Sequence, residues 1–164
     1  MCILAAAAIR DRGPGLGAGA DGRASVYAER AMEQTGWVVW AAIAAGSGLG
    51  GVARHLLTEA VTRAAGAGFP LGTVLVNVAG SVAIGALAAM VSAGGPTSWT
   101  PLARHALMTG VLGGFTTFST FSMQSVALLQ QGQLAAAAAN VVVSVVLGLA
   151  GCWAGFAAVV ALSR

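Results

Sequence analysis

The sequence predicts an all-α integral membrane protein with four transmembrane helices, and three observations lead there. Hydrophobic residues make up 57% of the 164-residue chain and charged residues only 8%, with a mean hydropathy of +0.84. A soluble domain is about a quarter charged, so eight basic and five acidic residues leave too little charge to solvate a globule of this size. Downstream of Met32, the apolar residues gather into four stretches, each long enough for the ~20 residues that cross a hydrocarbon core. Finally, 24 glycines without a collagen repeat, set among abundant alanine, suit helices that approach one another closely in lipid. A soluble enzyme is thereby disfavoured, and so is a disordered chain, which needs low hydrophobicity and high charge.

Residues 1 to 36 differ from everything after them. The stretch from Arg10–Asp11–Arg12–Gly13–Pro14–Gly15 to Gly22–Arg23 is Gly-rich and charged with no helical period, and reads as a disordered N-terminal extension. The apolar opening Met1–Cys2–Ile3–Leu4 lacks the basic segment of a signal peptide. Two readings stay open: a true extension, or translation starting at Met32, five residues before the first span. The net charge of +3 comes from eight arginines and no lysine, four of them before residue 31. No basic stripe interleaves with aromatics, so the charge flanks a membrane and nucleic acid is not an expected partner. Cys2 and Cys152 have neither zinc spacing nor the placement of a disulfide.

The four spans follow in order. The first runs from about Trp37 to Leu57, with Trp37 and Trp40 as interface anchors. The second runs from about Leu71 to Val91, entered through Phe69–Pro70 and left through Gly94–Gly95–Pro96. The third spans about Ala103 to Leu129 and the fourth about Leu134 to Leu162. Short connections make neighbouring helices antiparallel. Counted from Met32, Arg104 and Arg164 on one side nearly balance Arg63 and Arg54 on the other, and such balance predicts insertion in both orientations. Arg23 and Arg30, if present, bias the N-terminus toward the cytoplasm.

Polar groups inside hydrocarbon must be satisfied by protein or water, which makes each one a functional candidate. In the second span Asn77, Gly80, Ser81, Ile84, Gly85 and Ala88 share a small-residue face, so Asn77 points at a neighbouring helix. It is either interhelical glue or an amide aimed into a pore. In the fourth span Asn140, Ser144, Gly148, Gly151 and Gly155 form one face, polar at its start and a glycine stripe beyond. That pattern reads as half vestibule and half close helix contact. Arg54 lies ~26 Å along the first helix from Trp37 at 1.5 Å per residue. There it either snorkels to the interface or draws an anion into a vestibule.

The third span is the least ordinary. Gly113–Gly114–Phe115 is followed by Thr116, Thr117, Ser119 and Thr120, four hydroxyl residues in five positions. Such a sequence makes a poor continuous helix, and a break at membrane depth is tolerated only where the freed backbone lines a cavity or binds an ion. Freed carbonyls suit an alkali cation and freed N–H groups an anion. Phe118 and Phe121 stand at i and i+3, as packing residues or with positive ring edges turned to an anion. Thr117, Thr120 and Gln124 make an adjoining polar track.

With these residues assembled, the chain resembles the Fluc/CrcB fluoride channel family. Three ordered motifs carry the resemblance over residues 37 to about 160: Gly50–Gly51–Val52–Ala53–Arg54, Gly72–Thr73–Val74–Leu75–Val76–Asn77–Val78–Ala79–Gly80, and Gly113–Gly114–Phe115–Thr116–Thr117–Phe118–Ser119–Thr120–Phe121. The resemblance implies an antiparallel, dual-topology homodimer with a broken third helix in each subunit, lodged in the cell inner or plasma membrane. A heterodimer with a paralogue is the variant some relatives adopt. It implies fluoride export along two pathways and a central, structural Na+ held by the carbonyls of Gly113 and Thr116. Carried over motif by motif, the pore phenylalanines are Phe118 and Phe121, the pore asparagine Asn77 and the vestibule arginine Arg54. The hydroxyl track is Thr117, Ser119 and Thr120, with Ser144 from the fourth helix.

Three positions depart from the family pattern: His55 and Val82 stand where aromatics are usual, and Asn140 where an aromatic often opens the fourth helix. The outer pathway is where these differences fall. Two other functions compete. A proton-coupled exporter of cationic drugs needs an intramembrane carboxylate, and the only candidates, Glu33 and Glu59, sit at span ends. A non-transporting assembly protein accounts for the glycines but leaves the Thr-rich break and its two phenylalanines unexplained. An enzyme is not expected: neither a Ser/His pair, paired Asp residues nor an HExxH motif is present.

Overall fold

The computed structural model describes the backbone of residues 21–92 and 99–163, with side chains from Gly36 onward. The chain divides into two units, Met1–Gly36 and Trp37–Arg164, and the second carries the spans. Residues 1–20 of the extension expected to be disordered lie outside the described residues, as does the Gly94–Gly95–Pro96 exit, whereas 21–36 carry helical backbone.

Helix α1, Asp21–Ala65, runs two turns past the expected end at Leu57. On these turns Arg63 donates to Glu59 at 3.0 Å, an exposed pair one turn apart that adds only roughly a few tenths of a kcal/mol to the helix. Arg63 also sits in the last turn, where a cation meets the negative end of the helix dipole. Gly66, at φ +84°, then turns the chain out while its N–H closes on Thr62 O. Helix α2, Leu71–Val91, starts directly after Pro70.

Residues 101–130 form several helical pieces. Thr100 caps α3, Pro101–Arg104, by accepting from Ala103 N–H at 3.2 Å, and Pro101 pre-sets the first turn. A π-helical stretch, His105–Leu112, leads into the single turn α4, Gly113–Phe115. Thr116 and Thr117 are extended, and α5, Phe118–Gln130, follows. After a turn at Gly132, φ +74°, the chain enters α6, Leu134–Leu162. All described secondary structure is helical, and Gly36–Ala65, α2 and α6 are each long and apolar enough to cross a membrane. This is a multi-pass membrane protein.

Glycines set the packing. Gly46 and Gly50 of α1 lie against the backbone of Ala106, Val111 and Phe115, while Gly110 and Gly114 return the contact against Ile43 and Ser47. Gly85 of α2 abuts the Cys152 carbonyl of α6, and Gly155 abuts the Val82 carbonyl. Ser81 faces Gly148 and Gly85 faces Cys152, so α2 and α6 advance together and run parallel. Close backbone approach of this kind supplies the dispersion that holds helices together where lipid removes the hydrophobic drive. Correspondingly, large apolar side chains such as Leu49, Leu75, Val142, Leu149 and Trp153 face outward.

Candidate functional site

The site grows out of the interruption between α4 and α5. Two glycines of low helix propensity precede two β-branched hydroxyl residues that compete for backbone hydrogen bonds. Thr116 ends the first segment by donating to Leu112 O from both its N–H and its hydroxyl, each at 2.9 Å. Thr117 begins the next: its Oγ1 accepts from Thr120 N–H at 3.2 Å, the contact of an N-cap. The Thr117 hydroxyl also donates to Thr120 Oγ1 at 3.0 Å and lies 3.3 Å from Ser119 Oγ. The hydroxyl-rich motif is thus a capping network centred on one buried threonine.

Asn77 reaches this network from α2. Its Oδ1 accepts from Thr117 N–H at 2.8 Å and its Nδ2 donates to Thr117 O at 3.0 Å. The side-chain amide therefore stands in for helical partners on both the N–H and the C=O of one residue. Of the two alternatives open in the sequence, the interhelical bond is present, and one amide hydrogen of Nδ2 is left over. Gly80, one turn on, admits the Thr116 methyl, which a Cβ there would strike. Sequence reasoning placed Gly80 on the right face but missed this role.

A pocket of ≈ 520 Å3 opens beside the interruption. Asn77, Gly113, Thr116, Thr117, Phe118, Phe121 and Ser144 line it, so seven of the ten expected site residues share one cavity. Ser119 and Thr120 adjoin it through the Thr117 hydroxyl. Arg54 is not among its lining residues; it is half-exposed on α1. The phenylalanines divide their tasks: Phe121 is 8% exposed and Phe118 78%, with ring centroids 5.4 Å apart and planes at 50°. Such a tilted pair directs the edge of one ring toward the face of the other.

The polar face of α6 also divides. Ser144 lines the pocket, and its buried hydroxyl has no hydrogen-bond partner among the described residues. Asn140 is wholly buried against α5, where its Nδ2 donates to Ser125 Oγ at 2.9 Å and Ser125 donates to Phe121 O at 2.9 Å. Ser144 thus faces the pocket, while Asn140 fastens the segment that carries Phe121. Ser125 was not singled out in the sequence. A signal existed, since Ser125 and Asn140 lie nearly equidistant from the turn at Gly132 and so face each other across the α5–α6 hairpin.

Residues 41–156 match the family described as CrcB-like protein, Camphor Resistance (CrcB). Curated proteins named fluoride-specific ion channel FluC are similar over most of their length. The one from Rhodospirillum rubrum is 43% identical over 126 residues, 74% of this chain and 95% of the relative. Its counterpart from Paramagnetospirillum magneticum is 42% identical over 131 residues, 77% of this chain and 99% of the relative. That from Opitutus terrae is 46% identical over 121 residues, 74% and 92% respectively. The matched region contains every residue of the pocket, and the chain belongs to the CrcB-like family.

Proposed function

We propose that this chain is a fluoride-specific channel of the plasma membrane that lets F⁻ leave the cytoplasm down its electrochemical gradient. The observation that carries the reading is the composition of one pocket: an asparagine amide, serine and threonine hydroxyls, and two phenylalanine rings, with no carboxylate. Fluoride is small and strongly hydrated, so a selective path replaces its water with closely spaced weak donors. The leftover Asn77 N–H, the unpartnered Ser144 hydroxyl and the positive ring edges are donors of that kind. The two rings also limit width against larger anions. One charge moving down ~100 mV yields about 2.3 kcal/mol, so export needs no other energy source.

In this reading residues 101–130 cross the membrane as a fourth, interrupted span, and two chains associate antiparallel as a dual-topology dimer. The exposed Phe118 and the outward apolar faces supply contact surface for the second chain. A structural sodium ion also fits the residues present. The carbonyls of Gly113 and Thr116 accept no hydrogen bond among the described residues. No group of three His, Cys, Asp or Glu among those residues stands ready for a metal, and neutral oxygens suit a hard cation. When bound, sodium supplies fixed positive charge that offsets the cost of an anion at low dielectric. The exporter alternative loses ground because Glu59 is paired with Arg63 on an exposed surface.

Fluoride efflux from liposomes holding the purified protein, read with a fluoride electrode beside a chloride control, tests the proposal. Rapid fluoride release without chloride leak is expected. Absence of release from a folded dimer in sodium buffer would overturn it.

A further inference from the structure

In an uninterrupted helix Thr117 N–H would close on Gly113 O, and Thr120 N–H on Thr116 O. Neither bond forms. Thr117 N–H goes to Asn77 Oδ1 at 2.8 Å, and Thr120 N–H goes to Thr117 Oγ1 at 3.2 Å. The two diversions thus leave free the very carbonyls, Gly113 and Thr116, that would face a cation. We propose that Asn77 and Thr117 are positioning residues for the sodium site, holding its carbonyls open by capturing the N–H groups that would otherwise consume them. The inference rests on the sodium-binding part of the channel reading and assigns Asn77 a task beyond contact with the anion.

Three features support it. Asn77 commits both ends of its amide to the backbone of one residue, Thr117, and so fixes the peptide groups on either side of that Cα. Two glycines and two threonines give the main chain low cost for departing from the helix. Gly80 leaves room for Thr116 to stand where the interruption needs it. Asn77 also lines the pocket, so one side chain touches the anion path while governing the cation site, and the two ions are energetically coupled through it.

The experiment measures Na+ binding to the purified full chain by 23Na NMR titration, and by thermal stabilisation in sodium chloride against N-methylglucamine chloride. Asn77→Ala and Thr117→Val are expected to bind Na+ about ten-fold or more weakly, as loss of an outer partner typically does at a metal site. Asn77→Asp keeps the acceptor for Thr117 N–H and is expected to retain Na+ binding. Phe118→Ile is expected to lose fluoride flux while binding Na+ as the native chain does. Native affinity in Asn77→Ala or Thr117→Val would overturn the proposal and leave Asn77 as an anion contact alone. If neither variant folds, Asn77→Leu, which removes both bonds to Thr117 at nearly constant volume, decides: lost binding in the folded chain supports the proposal and native binding overturns it. A native chain that conducts fluoride but binds no Na+ overturns it too, without touching the channel reading. A native chain that binds Na+ but conducts nothing sinks the channel reading instead.

Discussion

Asn140 is fully enclosed, yet among the described residues its nitrogen alone is partnered and its Oδ1 meets no hydrogen-bond donor. Ser125 is the single group that keeps the amide tied, and it passes the tie on to Phe121 O. Ser125→Ala would strand the entire Asn140 amide, and we expect a loss of about 1–3 kcal/mol, the range for a buried polar group left unmatched. Asn140→Ala removes the orphan together with the bond and is expected to cost less, despite deleting the larger side chain. Thermal unfolding in detergent of the two single variants and the double variant separates these outcomes. The individual residues of the site were legible in the sequence, since amides and hydroxyls stand out against an apolar background. Their partners were not: that Asn77 holds Thr117 depends on α2 lying beside the interruption, a relation between segments forty residues apart.

At the level of the helices, the contacts of glycine rank the positions. A Cβ at Gly85 would meet the Cys152 carbonyl, which belongs to backbone and cannot swing away. Gly85→Ala is therefore expected to push α2 from α6 and to cost about 1–3 kcal/mol, as overpacking does. Gly48, with nothing within 4 Å of its Cβ position, is the opposite case. Gly48→Ala is expected to gain about 0.5–1 kcal/mol from reduced backbone entropy. A shift of midpoint in opposite directions would verify the pair; equal shifts would refute the ranking. Three spans were readable because apolar run length reports them directly, and the interruption because paired glycine and threonine oppose a helix. The π-helical register of 105–112 was not readable. It adds no residue type of its own, and it lies where Gly46 and Gly50 bring α1 onto the backbone of that stretch.

For the whole molecule, the connections Gly66–Pro70 and Gln131–Gln133 lie at one end and share a cleft of ≈ 290 Å3 lined by Phe69, Gln124, Gln131 and Gln133. That end carries Arg63 paired with Glu59, which offset one another. Gln131 and Gln133 are exposed, and Gln133 Nε2 donates to Gln131 Oε1 at 3.0 Å. The double change Gln131→Arg and Gln133→Arg adds two solvated positive charges to this end and is expected to drive it to the cytoplasm in nearly every molecule. If working channels require chains of both orientations, fluoride flux should then collapse and return on co-expression with an oppositely biased chain. Flux that survives in a population shown by cysteine labelling to be singly oriented would refute dual topology.

The interruption at Thr116 and Thr117 also bears on how freely such a sequence can drift. The oxygens it exposes belong to the main chain, and every amino acid supplies them, so no single replacement can delete them. What replacement can do is let the helix close over them. If the proposal above holds, heritable variation reaches that part of the molecule through the residues that hold it open, Asn77 and Thr117, with Gly80 beside them. The neighbours of those oxygens, and not the oxygens themselves, are then where selection has purchase.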